Sequence, residues 1–277
     1  FVGQAVGADG IAAINICVPI MMLATGLGLM MGAGCSVVAS IHMAQQKLKA
    51  ARINVTQAWI FATIVIMAMI VPVMLFPSAI GRVLGSSEAL LPLVREYMLG
   101  FMPGELFGVW AALLLFVIRL DGNPRLAMWC NIVGALANIV LDWLMIVYWG
   151  WGLFGAALAS TLSMFIGGMI AVWYMVFAAR QLRPIRLKWS RRSLLYSVRN
   201  IGYQCTVGMS ALMGECTMAV LALVGNYVFG MYLGDAGVGA FGIACYYTPF
   251  VFMIGNAVAQ SAQPIVSYNY GSGDHGR

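Results

Sequence analysis

The segments FVGQAVGADGIAAINI (residues 1–16) and VFGMYLGDAGVGAFGI (residues 228–243) align without gaps at a separation of 227 residues. Each segment begins a long apolar stretch. The identical positions are Gly3/Gly230, Gly7/Gly234, Gly10/Gly237, Ala13/Ala240 and Ile16/Ile243. Chance is the alternative explanation, because glycine is common in membrane helices, but the shared spacing favours an internal duplication. We therefore expect residues 3–40 and 230–267 to adopt the same fold.

Apolar residues dominate the whole chain. Hydrophobic side chains make up 62% of its 277 residues and charged side chains only 9%, whereas soluble domains average roughly a quarter charged residues. Each apolar run is long enough, as a helix, to cross a bilayer. The runs lie at 10–40, 56–80, 95–118, 126–149, 153–179, 200–232 and 237–268. The sequence predicts an all-α polytopic membrane protein with seven spans, and the runs are too continuous for a β-barrel.

The basic residues are concentrated on one side of the predicted spans. Thirteen of the fifteen lysines and arginines follow the first, third, fifth or seventh span, and only Arg82 and Arg95 lie in the alternate loops. The positive-inside rule assigns the basic loops to the cytoplasm, so we expect a multi-pass protein of the inner cell membrane. This placement argues against nucleic acid as a partner, despite the net charge of +6.

The duplication also predicts how the chain is organised. If residues 200–232 have a counterpart before Phe1, each half of the parent protein holds six helices and the chain is a fragment. Repeats with an even number of helices keep the same orientation, so an axis along the membrane normal relates the halves. We expect an amino-terminal lobe without its first helix at 1–180, a basic cytoplasmic linker at 181–199, and the start of a carboxy-terminal lobe at 200–277.

One carboxylate, Asp142, stands within the apolar stretch NIVLDWLMIVYW, residues 138–149. Asn138 lies four residues earlier, on the same helical face. The turn YWGWGLFG brings Ser160 and Thr161 back to the predicted depth of Asp142. These oxygen ligands suit Na⁺, and a buried carboxylate also suits a shared proton. The alternative is a polar knot between two helices, in which the amide and a hydroxyl satisfy a neutral Asp142.

Two further carboxylates, Glu105 and Glu215, lie within predicted spans that contain almost no basic residues. Such acids bind a cation, carry a proton or hydrogen-bond to a neighbouring helix. Glu105 follows a Pro-Gly pair, and Glu215 has no hydrogen-bonding neighbour one turn away on its own helix. We interpret both acids, together with Gln260 and Gln263, as candidates for binding a cation or a cationic substrate. A structural acid bonded to another helix is the alternative.

Four motifs resemble the multidrug and toxic compound extrusion (MATE) family. They are RLDGNPRLAM (119–128), NIVLDWLMI (138–146), GLFGAALAS (152–160) and AQPIVSYNYG (262–271). The resemblance covers essentially the whole chain, from the end of that family's first helix to just past its eighth. It implies a twelve-helix, V-shaped transporter of two six-helix lobes that exports cationic or amphipathic compounds in exchange for Na⁺ or H⁺.

The resemblance also implies roles for particular residues. Asn138 and Asp142 match the family's cation site on its fifth helix, and Ser160 or Thr161 would supply a hydroxyl from the sixth helix. The companion aspartate on the family's first helix precedes this chain. Glu215 lies near a seventh-helix glutamate that serves the carboxy-terminal lobe in some members.

Other functions remain as alternatives. Glu105 matches no site of the family. A lipid-linked sugar flippase of the same superfamily would have a more cationic cavity, and a seven-helix receptor would not explain the repeat or the basic loops. A channel would need a ring of polar residues. The sequence shows no phosphate loop, metal-ligand cluster or nucleophile–base pair, so we predict that the protein is not an enzyme. We also expect a transporter that is monomeric. Its expected partners are small molecules and membrane lipids, with no cofactor other than the coupling ion.

Overall fold

A computed structural model describes residues 1–187, 191–245 and 247–273. The fold is 88% helix, without strands in the described residues, which confirms the predicted all-α class. The helices are α1 (Val2–Ala5), α2 (Ala8–Ala44), α3 (Leu48–Leu75), α4 (Pro77–Val83), α5 (Leu91–Leu120), α6 (Pro124–Asp142), α7 (Gly152–Trp173), α8 (Arg191–Cys245) and α9 (Tyr247–Ser272). α6 and α7 continue as π-helical turns at Trp143–Tyr148 and Tyr174–Ala178.

Six helices in the described part of the chain are long and apolar enough to cross a membrane. They lie at Ala8–Ala44, Leu48–Leu75, Leu91–Leu120, Pro124–Tyr148, Gly152–Ala178 and Leu195–Ile243. The seventh predicted span, 237–268, includes residue 246, which lies outside the described residues. On α3 the exposed apolar side chains recur at helical spacing, as expected of a surface that faces lipid. They are Ile60, Ile64, Met67, Val71 and Leu75.

Glycines set the distance between α2 and its two main neighbours. Side chains and backbone of α5 fill the space beside Gly28 and Gly32, and the backbone of Gln204 in α8 lies directly against Gly34. A Cβ atom at any of these three glycines would overlap the neighbouring helix. Small residues therefore allow α2 to pack closely between α5 and α8, as is common where membrane helices approach one another.

Two equivalent glycines of the predicted repeat have the same backbone conformation. Gly7 has φ 79° and ψ −160°, and Gly234, which is 227 residues later, has φ 65° and ψ −162°. Each glycine precedes a helical segment and has a positive φ that a residue with a side chain rarely adopts. In each copy the next glycine, Gly10 or Gly237, packs against the side chain four residues earlier. The two copies therefore share a turn as well as a sequence.

Equivalent positions of the two copies contact each other at both ends of α2. Ser40 Oγ donates to Ser267 Oγ at 2.7 Å, and these serines are 227 residues apart. Near the other end of α2, the side chain of Asn15 fills the space beside Gly242, its own counterpart in the repeat. Contacts between equivalent positions are expected where a pseudo-two-fold axis passes between two copies of a repeat.

α8 begins at Arg191, so the last part of the linker predicted at 181–199 is helical. The part before it is held against α3, because Arg52 Nε donates to Gln181 O at 2.6 Å. Leu182 is fully buried.

The close contact of α2 with α8 predicts that Gly34→Ala destabilises the protein by about 1–3 kcal/mol, because the added methyl group collides with the backbone of Gln204. Gly134→Ala is the matched control, since a Cβ atom there would lie 3.6 Å from Ser163 O, an ordinary contact. Thermal unfolding of the purified full-length protein in detergent measures both effects. Equal melting temperatures for the two variants would contradict the packing described above.

Candidate functional site

Three of the predicted residues, Glu215, Gln260 and Gln263, line one cavity of about 310 Å³. We call it the central cavity. Ser210 and Asn256 add further polar groups to its lining. α2 and α5 form one side and α8 and α9 the other, so the cavity lies between the amino-terminal lobe and the start of the carboxy-terminal lobe.

Asn256 and Ser210 were not predicted from the sequence. Asn256, Gln260 and Gln263 lie at positions i, i+4 and i+7 of α9, a spacing that places all three on one face of the helix. That spacing is the signal by which Asn256 could have been found. A single serine in an apolar helix carries no such signal, and only the packing of α8 against α2 places Ser210 in the cavity.

Glu215 is the one charged residue in the described lining of the central cavity. Its aliphatic stem packs against α2 at Gly26, where an added Cβ atom would lie 3.0 Å from Glu215 Cβ. Across the same cavity, Gln263 Nε2 donates to Ala33 O at 2.9 Å. The central cavity therefore combines amides, a hydroxyl and apolar surface with a single acidic group, and none of its described lining residues is basic.

Asn138 and Ser160 line a second cavity, of about 360 Å³, enclosed by α2, α5, α6 and α7. We call it the amino-lobe cavity. Asn138 Nδ2 donates to Ser160 Oγ at 3.5 Å, so the structure brings this predicted pair together. Asn131 and Ser163 also line the cavity. It thus offers several neutral oxygen atoms of the kind that bind small hard cations.

Ser160 contacts Asn138, which lies one helical turn before Asp142. The π-helical turn Trp143–Tyr148 follows Asp142 and has more residues per turn than an α-helix. Asp142 Oδ1 is buried and has no hydrogen-bond partner among the described residues. Asp142 is therefore an acid that this part of the chain leaves without a partner.

The hydroxyl of Thr161, another predicted cation ligand, contacts the backbone of α5. Its hydroxyl lies 2.7 Å from Gly100 O and 3.1 Å from Phe101 O. Gly104 provides the space for this contact, because a Cβ atom there would overlap Thr161. The hydroxyl of Thr161 therefore joins α7 to α5, and Ser160 supplies the hydroxyl beside Asn138.

Glu105 lies in the amino-terminal lobe, away from the lining of the central cavity. It is 2% exposed and sits between Phe101 and Gly108, two residues of α5 that line the amino-lobe cavity. Glu105 Oε2 is 3.7 Å from the Cβ position at Gly108. Glu105 is thus a second buried acid beside the amino-lobe cavity. No cluster of three or more His, Cys, Asp or Glu side chains among the described residues is arranged to hold a metal ion.

Asp121 is a buried acid whose environment the sequence did not indicate. It lies in the turn after α5 and is only 4% exposed. Oδ2 accepts from Tyr174 Oη and Arg180 N, and Oδ1 accepts from Gln181 N and Leu182 N, all at 2.8 Å. The donors come from 53 to 61 residues later in the chain. Asp121 therefore fixes the end of α7 and the segment that leads to α8.

A family model described as MatE matches residues 1–144, more than half of the chain. The chain belongs to the MATE family. The resemblance of its motifs is thereby confirmed, and members of the family are transporters. The MATE chain covers 58% to 60% of the length of the curated relatives given below, so it corresponds to part of such a protein.

Two curated relatives align with nearly the whole MATE chain. A FAD transporter of Shewanella oneidensis is 22% identical over 289 residues, covering 99% of this chain and 60% of the relative. The multidrug export protein MepA of Staphylococcus aureus is 22% identical over 272 residues, covering 98% of this chain and 58% of the relative. Both alignments extend across the amino-terminal lobe, the linker and α8 and α9.

Solved structures agree with the fold. The MATE multidrug transporter DinF-BH, solved in complex with a ligand, superposes with a TM-score of 0.83 at 26% identity, over 98% of this chain and 60% of that one. An inward-facing MATE family transporter gives a TM-score of 0.79 at 22% identity, over 98% of this chain and 58% of that one. The helical arrangement described above is thus a MATE arrangement.

The four hydrogen bonds to Asp121 predict that Asp121→Asn destabilises the full-length protein by about 2–3 kcal/mol. The asparagine amide has nearly the same shape as the carboxylate, but its NH₂ group would face backbone N–H groups that need an acceptor. The exposed Asp9 serves as the control, and Asp9→Asn should change stability by about 1 kcal/mol or less. Melting temperatures in detergent report both, and an Asp121→Asn protein as stable as wild type would rule out this role.

Proposed function

We propose that the full-length protein exports cationic or amphipathic small molecules through the membrane in exchange for Na⁺ or H⁺. The observation that carries this proposal is the central cavity between the lobes, in which Glu215 is the one charged group among the described lining residues. An interlobe position suits alternating access, because movement of one lobe against the other exposes such a cavity first to one side and then to the other.

The chemistry of the central cavity favours a cation that also carries apolar surface. A carboxylate in a medium of low dielectric constant attracts a cation more strongly than the same group does in water. Phe116 and the apolar parts of α2 and α9 supply surface for an organic molecule, and the amides of Gln260 and Asn256 supply hydrogen bonds. A lipid-linked sugar flippase would need basic groups for a diphosphate, and the described lining of the central cavity has none.

We place the coupling ion in the amino-terminal lobe, at Asp142, Asn138 and Ser160. The buried, unpartnered Oδ1 of Asp142 supports this assignment, because a buried carboxyl group must either bind a cation or be protonated. The π-helical turn that follows Asp142 supports it as well, since such turns are frequent at functional sites. Glu105, beside the same cavity, is a second group that could receive the proton or ion.

The names of the relatives favour organic substrates. MepA is a multidrug export protein, another relative is a FAD transporter, and DinF-BH is a multidrug transporter. We propose that this protein likewise moves small organic molecules. We further propose that its basic loops face the cytoplasm of the inner membrane and that it works as a monomer among membrane lipids, since the substrate and ion sites are built within one chain.

Glu215→Gln tests the proposed substrate site. In proteoliposomes that contain the full-length protein, we expect the kcat/KM for a permanently cationic dye to fall about tenfold, because the ionic attraction is lost. Export of an uncharged analogue of similar size should change less than about twofold, because the apolar contacts remain.

Glu96→Gln is the matched control, since Glu96 is an exposed acid at the start of α5 and should affect neither compound. Equal losses for the charged and uncharged compounds in Glu215→Gln would show that Glu215 serves coupling or folding instead of substrate recognition.

A further inference from the structure

Arg119 lies in the last turn of α5 and lines a third cavity, of about 510 Å³, formed by α5, α6 and α9. We call it the Arg119 cavity. Asn131, Gln260 and Ser261 provide its other polar groups. Arg119 is half-buried and is the one charged residue in the described lining of this cavity. The central cavity and the Arg119 cavity therefore carry opposite charges.

The guanidinium of Arg119 is held in place but not neutralised. Its Nη1 donates to Gln260 Oε1 at 3.1 Å, and its Cζ lies 5.6 Å from the centre of the Phe116 ring. No carboxylate of the described residues lies within ion-pair distance of it. Asp121, two residues later, already accepts two hydrogen bonds on each oxygen. Most N–H donors of Arg119 are therefore left for a ligand or for water.

Two side chains connect the Arg119 cavity to the central cavity. Gln260 lines both of them. Phe116 lines the central cavity and stacks with Arg119. The two cavities are therefore neighbours, with Gln260 and Phe116 at their boundary.

We propose that the Arg119 cavity binds the anionic group, a carboxylate or a phosphate, of zwitterionic substrates whose cationic part lies near Glu215. The planar guanidinium suits these groups because it can donate two parallel hydrogen bonds to their oxygens. This inference rests on the proposed function, since it adds a second subsite to the same transport path. It defines a substrate class that a single acidic cavity would not favour.

A matched pair of xanthene dyes provides the test. One dye is a cationic rhodamine ethyl ester, and the other is its free acid, which has the same ring system with an ionised carboxylate in place of the ester. Binding of each dye to the purified full-length protein, in nanodiscs of neutral phosphatidylcholine, is measured by fluorescence anisotropy. In Arg119→Gln we expect the Kd of the acid to rise about tenfold more than the Kd of the ester. A general loss of structure would raise both values together.

Arg125→Gln is the control, because Arg125 is an exposed base of α6 outside these cavities. It removes the same charge and should leave the ratio of the two Kd values unchanged. An unchanged ratio in Arg119→Gln overturns the inference. If the ester still binds and still depends on Glu215 in that case, the proposed function stands without the second subsite.

Anionic lipid is a second source of the same chemistry, and nanodiscs with phosphatidylglycerol distinguish it. If the substrate's own anion occupies the Arg119 cavity, the free-acid dye still binds more tightly to the wild type than to Arg119→Gln when this lipid is present. If the lipid headgroup takes the site, this difference in Kd disappears as the lipid is added, which overturns the assignment to substrate.

Discussion

A carboxylate inside the hydrocarbon must be protonated, bind a cation or face a cavity, because it cannot remain ionised in a dry apolar surrounding. In this chain the basic residues lie almost entirely between the spans, so fixed ion pairs are not available to the acids within them. Glu215 accordingly lines a cavity between the lobes, and Asp142 has a buried oxygen without a partner among the described residues. Both sites follow from that single constraint.

The packing of α2 against α8 and α9 gives Glu215 its position. Close approach at Gly34, and the contact of Ser40 with Ser267, bring α8 and α9 against α2. The central cavity forms beside this contact, where Gly26 leaves room for the stem of Glu215. The central cavity thus lies at the boundary between α2 and α5 on one side and α8 and α9 on the other.

Features that depend on spacing along the chain were predictable from the sequence, and features that depend on backbone irregularity or distant donors were not. The repeat, the helical class and the pairing of Asn138 with the hydroxyl of Ser160 follow from periodicity and a short turn. The π-helical turn after Asp142 does not, because it is a backbone irregularity that spacing along the chain does not indicate. The burial of Asp121 depends on donors from the end of α7 and the following segment, which its own neighbours in sequence cannot reveal.

Gradient-driven export tests the coupling role of Asp142 most directly. Asp142→Asn keeps the size of the side chain and removes its ability to bind and release an ion as the lobes alternate. In proteoliposomes with the full-length protein, we expect this variant to carry a cationic dye down its own concentration gradient within about twofold of the wild-type rate. An imposed Na⁺ or H⁺ gradient should accelerate the wild type and have no effect on the variant. A folded Asp142→Asn protein that is still accelerated by the gradient would contradict the assignment of the coupling site.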